Sequence, residues 1–235
     1  MNPKTGTTSL KYIFYMFEEI QFRDQRHYTP ANFIEKYNLT IDFSDYKFYC
    51  FYRDPVDRFL SAYSGILEWY GEHKEIALIQ EGNINRFLTL MFSDPNYMNI
   101  DFGAVLQEER PVGVPVRGPP LPNEIKNKIK SISVLDFIAK IDQFSTDADR
   151  YLTSKQVLWL DHPNIELLDY ARFNEHVHNF LKLYDKDTVP ILHKRARNLE
   201  YGKRREDLTS EELLAIQTYY KEDYEFLERH NINKA

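Results

Sequence analysis

Cysteine is nearly absent from this sequence, with Cys50 the only one. A lone thiol can form no intrachain disulfide, and no cysteine cluster is there to hold a metal. That usage suits a reducing compartment. Long apolar runs are missing too. No stretch approaches the roughly 20 residues of a membrane-spanning helix, and no signal-peptide pattern precedes the first motif. Nor is there a surplus of positive charge: 30 Lys and Arg stand against 36 Asp and Glu, a formal net charge of −6. A general nucleic-acid binder is normally basic, which counts against that class. A local anion site is still compatible with an acidic total, because fields in clefts are set locally. What the chain does have is apolar bulk. It is 43% hydrophobic over 235 residues, with 17 Tyr and 16 Phe. That is enough for a sizeable core in one fairly large domain, and it argues against disorder.

Periodicity predicts helices over Ser9–Ile20, Thr29–Tyr37, Val56–Tyr70, Asn83–Phe92, Val134–Phe144, Asn174–Leu183 and Ser210–Arg229. The last of these has Thr209 or Ser210 available as a cap. Lys47–Tyr52 is short and aromatic and is expected to be a buried strand, stopped by Asp54-Pro55. Gln156–Leu160 and Ile165–Tyr170 are expected to be further strands. Strand, turn and helix in that order around Arg53 make half of an α/β unit. Gly103–Pro122 is rich in Pro and Gly and is expected to be an extended insertion, either an acceptor-binding loop or a passive surface excursion.

Two segments carry chemistry. Pro3-Lys4-Thr5-Gly6-Thr7-Thr8-Ser9 precedes a predicted helix. A loop entering a helix points several backbone N–H groups one way, at the positive end of the helix dipole, and so suits phosphate. Gly6 allows close backbone approach, Lys4 adds charge, and Thr7, Thr8 and Ser9 add hydroxyl donors. A Thr-rich cap is the plainer alternative. The lysine precedes the glycine here, so the nucleotide-triphosphate motif fails, which counts against a kinase. The second segment is Tyr52-Arg53-Asp54-Pro55-Val56-Asp57-Arg58-Phe59-Leu60-Ser61. Arg53 closes a strand, where ligands gather in open α/β sheets. Ser61 lies about two helical turns on, and the two side chains together suit a phosphate ester. Alternatively, Arg53 pairs with Asp54 or Asp57 and stabilises the turn.

Taken together, PKTGTTSL and FYRDPVDRFLSAYSG resemble the 5′-phosphosulfate loop and the 3′-phosphate strand and helix of sulfotransferases that use 3′-phosphoadenosine-5′-phosphosulfate (PAPS). The likeness is to the Golgi-type carbohydrate sulfotransferases and their bacterial relatives. The Leu208–Phe226 stretch is similar to the closing helix of that group, and Val134–Phe173 is loosely similar to its middle segment. The resemblance implies a single P-loop-type, three-layer α/β domain over 1–235, with a central parallel sheet flanked by helices and an insertion near 103–122. It implies PAPS as donor, held by Lys4, Thr5, Gly6, Thr7, Thr8 and Ser9 at the 5′ end and by Arg53 and Ser61 at the 3′-phosphate. It implies a hydroxyl acceptor of glycan type, with a protein tyrosine or a small metabolite as alternatives; no metal is expected, because backbone amides, Lys4 and Arg53 already supply positive potential. The basic residues Lys194, Arg195, Arg197, Lys203, Arg204 and Arg205 stand where the family closes over the nucleotide, or form a solvated patch. Members carry an apolar strand ahead of the PKTG loop, where only Met1-Asn2 stand here. The sequence is therefore expected to be a fragment, a late start or a shortened variant. As given, it is expected in the cytoplasm; as a fragment of an anchored protein, it would belong in the Golgi lumen.

Sulfuryl transfer needs in-line geometry and neutralisation of the charge that develops on the leaving oxygen. Lys4 is the expected stabiliser of that oxygen. The acceptor hydroxyl needs a base, and a histidine titrating near neutrality suits the task. His27 is the first candidate, set against a role as a plain surface histidine. Glu18, Glu19, His73 and His193 follow. An inactive scaffold with the same fold is the alternative function.

Overall fold

The computed structural model describes residues 32, 35–36, 48–72, 83–99, 121–144, 152–161, 164–186, 191 and 199–232. In chain order the elements are β1 (Phe48–Tyr52), α1 (Pro55–Glu72), α2 (Asn83–Phe92), α3 (Asn123–Lys130), α4 (Val134–Lys140), α5 (Val157–Leu160), β2 (Ile165–Asp169), α6 (Phe173–Lys182), α7 (Ser210–Tyr219) and α8 (Lys221–Arg229), with short 3-10 turns between them. The described residues are mostly helical, and their one sheet is a parallel pair. None of their helices is long and apolar enough to cross a membrane. Asn32, Glu35 and Lys36 are helical, as expected from Thr29–Tyr37, whose other residues lie outside the described set. So does the Ser9–Ile20 helix. The chain divides into two compact units. One comprises Met1–Arg58, Ser154–Ala196 and Tyr220–Ala235, and the other Phe59–Thr153 and Arg197–Tyr219.

In the first unit, β1 and β2 run parallel, with Phe48 opposite Ile165 and Tyr52 opposite Asp169. Strand side chains alternate between faces, so each face has its own partners. Phe51 and Leu168 pack with Phe173, Val177 and Leu181 of α6. Cys50, Tyr52 and Leu167 pack with Leu160 of α5 and with Phe226 and Leu227 of α8. Covering on both faces is what a parallel pair requires. The expected burial of β1 holds at Phe51, whereas Tyr49, two residues earlier on the same face, is 49% exposed.

Two expectations are corrected in this region. Gln156–Leu160 is not a strand, because Val157–Leu160 forms a helical turn. The carboxylate of Asp223 decides this. It accepts from the backbone N–H groups of Gln156 (3.0 Å) and Val157 (2.9 Å), satisfying donors that open a helix and would otherwise need a strand neighbour. Nor is Ser210–Arg229 one helix. It breaks between α7 and α8 at Tyr220, whose φ of −96° and ψ of 25° leave the helical region. Tertiary packing overrides local propensity here. Tyr220 is fully buried with the Arg58 guanidinium 6.0 Å from its ring centre, and Asp223 must reach α5.

In the second unit the apolar face of α1 is buried as its spacing predicts: Phe59, Leu60, Tyr63, Ile66 and Leu67 are all at 3% exposure or less. Tyr63 lies edge-on to Phe137 at 5.1 Å, and Tyr70 stacks on Phe87 at 4.0 Å. Burial pushes the Tyr63 phenol above its ordinary range, and its hydroxyl donates to the Ile132 carbonyl. Helix α2 has the predicted bounds. Its last carbonyls, on Leu90 and Met91, accept from Lys140 Nζ at 2.7 and 2.6 Å, so a lysine satisfies orphan acceptors at a helix C-terminus. The Val134–Phe144 segment is α4 followed by a 3-10 turn over Ile141–Gln143. Thr209 and Glu212 form a capping box at the start of α7. Thr209 Oγ1 accepts from the Glu212 N–H at 3.2 Å, and Glu212 Oε2 accepts from the Thr209 N–H at 3.0 Å. Gly71 sits under the buried Tyr201 ring, where a Cβ would fall 2.2 Å from Cε1.

Candidate anion site at the strand ends

Because β1 and β2 are parallel, their carboxyl ends lie on the same side. Such ends are where open α/β sheets place ligands. β1 delivers Arg53, and β2 delivers Asp169 and Tyr170. The half-buried Arg53 guanidinium lies 4.9 Å from the centre of the Tyr170 ring, within cation–π range. Asp54 Oδ1 accepts from the Asp57 N–H at 3.1 Å, and the Asp54 carbonyl accepts from the Arg58 N–H at 2.9 Å. Asp54 is therefore the N-cap of α1, and Pro55 takes the first helical position that suits proline.

The Arg53 backbone is held by a side chain from far along the chain. Its N–H donates to Gln156 Oε1 at 3.2 Å, and its carbonyl accepts from Gln156 Nε2 at 2.7 Å. Gln156 is fully buried, and so are Asp223 and Arg58 behind it. Burial pushes the Asp223 carboxyl up from its ordinary value, against the pull of Arg58 and the two amides it accepts from. Burial likewise lowers the Arg58 pKa, while Tyr220 and Asp223 act to raise it.

On the β2 side, Asp169 Oδ1 accepts from the Ala171 N–H at 2.8 Å and so opens the turn over Tyr170–Arg172. The Tyr52 phenol is pushed up by burial first and by Asp169 second, and stays protonated. Arg172 pairs with Glu175 on the surface, Nε donating to Oε2 at 2.8 Å, and that bond holds the Glu175 carboxyl below its usual range. The result is an arginine fork braced by an aromatic ring and a fixed backbone, a donor set suited to a phosphate oxygen.

Ser61, the other residue expected at the 3′-phosphate, lies in the second turn of α1 and is half-buried. Lys4, Thr5, Gly6, Thr7, Thr8, Ser9 and His27 lie outside the described residues. So do Glu18, Glu19, His73, His193, Lys194, Arg195, Arg197 and the insertion through 120. Of the remaining basic residues, Lys203 bonds Glu212 Oε1 at 2.7 Å, and Arg204 pairs with Glu206 at 3.8 Å. Among the described residues no group of His, Cys, Asp and Glu gathers as a metal site. Sequence reasoning missed Gln156, Tyr170 and Asp223. One signal was available for Asp223, a carboxylate between Tyr220, Tyr224 and Leu227 on an apolar face. Comparison with protein-family models, curated proteins and solved structures finds no match for this chain.

Proposed function

We propose that the chain is a PAPS-dependent sulfotransferase with a P-loop-type, three-layer α/β domain, acting on a hydroxyl acceptor of glycan type. The observation that carries this reading is Arg53, placed at the carboxyl end of a parallel strand and followed at once by an Asp-capped helix. The covering of both sheet faces by helices supports the layered fold. In this reading Arg53 and Ser61 hold the 3′-phosphate, and Lys4 to Ser9 hold the 5′-phosphosulfate. The acceptor oxygen attacks sulfur in line, a new S–O bond forms, and the bond from sulfur to the 5′-phosphate oxygen breaks. Lys4 neutralises that leaving oxygen, and His27 takes the acceptor proton.

Thermal-shift titration with 3′-phosphoadenosine-5′-phosphate (PAP), with ATP as control, tests the reading. A ligand that binds only the folded state stabilises it by about 2.7 kcal/mol at a concentration 100 times its Kd. PAP is expected to raise Tm where ATP does not. Arg53→Ala should weaken PAP by about tenfold or more, the worth of a charged hydrogen bond. A well-folded sample that ignores PAP would remove the donor site and leave the scaffold alternative.

A further inference from the structure

The parallel ladder ends with Tyr52 opposite Asp169, yet the next residue is not left without partners. The carboxamide of Gln156 meets Arg53 as a strand would, accepting from its N–H and donating to its carbonyl. It holds both backbone groups of the residue that follows β1, on the edge turned away from β2. Gln156 is itself fixed. It is fully buried, and its own N–H donates to Asp223 Oδ2, while Oδ1 takes the next N–H along. Asp223 is fully buried too, so neither side chain has solvent to turn into.

We propose that Gln156 is a positioning residue that sets the anion affinity of Arg53 by fixing the backbone from which the guanidinium projects. This rests on the donor-site reading above. A guanidinium whose stem is already ordered loses less freedom on binding, so the bracket works through pre-organisation. Only a carboxamide suits the position. A carboxylate brings two acceptors to a pair of groups that needs one donor and one acceptor, and a thioether brings no donor and only a weak acceptor.

The test is a double-mutant cycle on PAP affinity, measured by calorimetry well below the melting temperature. It uses the wild-type chain, Gln156→Met, Arg53→Ala and the double variant. Gln156→Glu, close in shape, is run beside the methionine variant in case the latter does not fold. Gln156→Met is expected to weaken PAP about tenfold when Arg53 is present, and to change it less than about twofold when Arg53 is alanine. Equal losses in both backgrounds would make Gln156 a merely structural residue and overturn the proposal. So would a Gln156 variant that binds PAP as the wild type does while Arg53→Ala does not. If the wild type itself fails to bind PAP, the donor reading falls and takes this role with it, a result distinct from the other two.

Discussion

Replacing Asp223 by alanine should be among the most damaging single changes to this chain, and the size of the effect can be worked from its contacts. The carboxylate accepts from two backbone N–H groups, at 3.0 and 2.9 Å, from a position with no solvent exposure. Each buried donor left unsatisfied costs about 1–3 kcal/mol. Arg58, also fully buried, loses its neighbouring opposite charge. The two unsatisfied N–H donors make about 4 kcal/mol the expected total, a large share of the roughly 5–15 kcal/mol that holds a typical protein folded. Urea unfolding at pH 7 reads it directly. With a slope of about 2 kcal/mol/M, the midpoint should fall by about 2 M. Asp223→Asn should fall between wild type and alanine, because its amide oxygen serves one N–H while its NH2 faces the other. An alanine variant within about 1 kcal/mol of wild type, given the ~1 kcal/mol that typical substitutions cost, would refute the claim that Asp223 organises α5.

Two predictions concern the second unit. Gly71→Ala would ordinarily stabilise a helix by about 1 kcal/mol. Here the new Cβ falls 2.2 Å from Cε1 of the buried Tyr201 ring, so Tm should drop, and shortening Tyr201 to leucine in the same chain should recover part of the loss. Burial acts to raise the Glu212 pKa, but the bonds from Lys203 and Thr209 outweigh it and bring the carboxyl below its ordinary 4.5. The stability this confers is present above pH 4.5 and is lost as pH falls through the depressed folded value. Glu212→Gln should therefore be less stable at pH 7 and show a shallower decline in acid unfolding curves below about pH 4.5.

The parts of the fold legible in the sequence are those with strong local periodicity. Phe59, Leu60, Tyr63, Ile66 and Leu67 repeat at helical spacing, and all are buried on α1. The KFYCFY run is stopped by Asp54-Pro55 and contains β1. Gln156–Leu160 was not legible, because a short apolar run has no period to distinguish strand from helix. A carboxylate 67 residues further along, at the far end of a hydrogen bond, made the choice. The Tyr220 break has the same cause, since helix propensity continues through it and only buried contacts interrupt it. At the candidate site, Arg53 could be singled out because it follows a strand and precedes Asp-Pro. Its bracket could not, because Gln156 sits 103 residues away with no local pattern to connect them.

That separation also bears on how the chain is made. At a synthesis rate of about 5–20 residues per second, Arg53 emerges roughly 5–20 s before Gln156 can meet it. Through that interval the aromatic strand Phe48–Tyr52 has neither its parallel neighbour nor the helices that cover its faces. An uncovered apolar edge of this kind is a template for wrong pairing. The nascent chain should accordingly depend on chaperone cover until β2 and Gln156 have emerged, and expression at low temperature should raise the yield of folded protein.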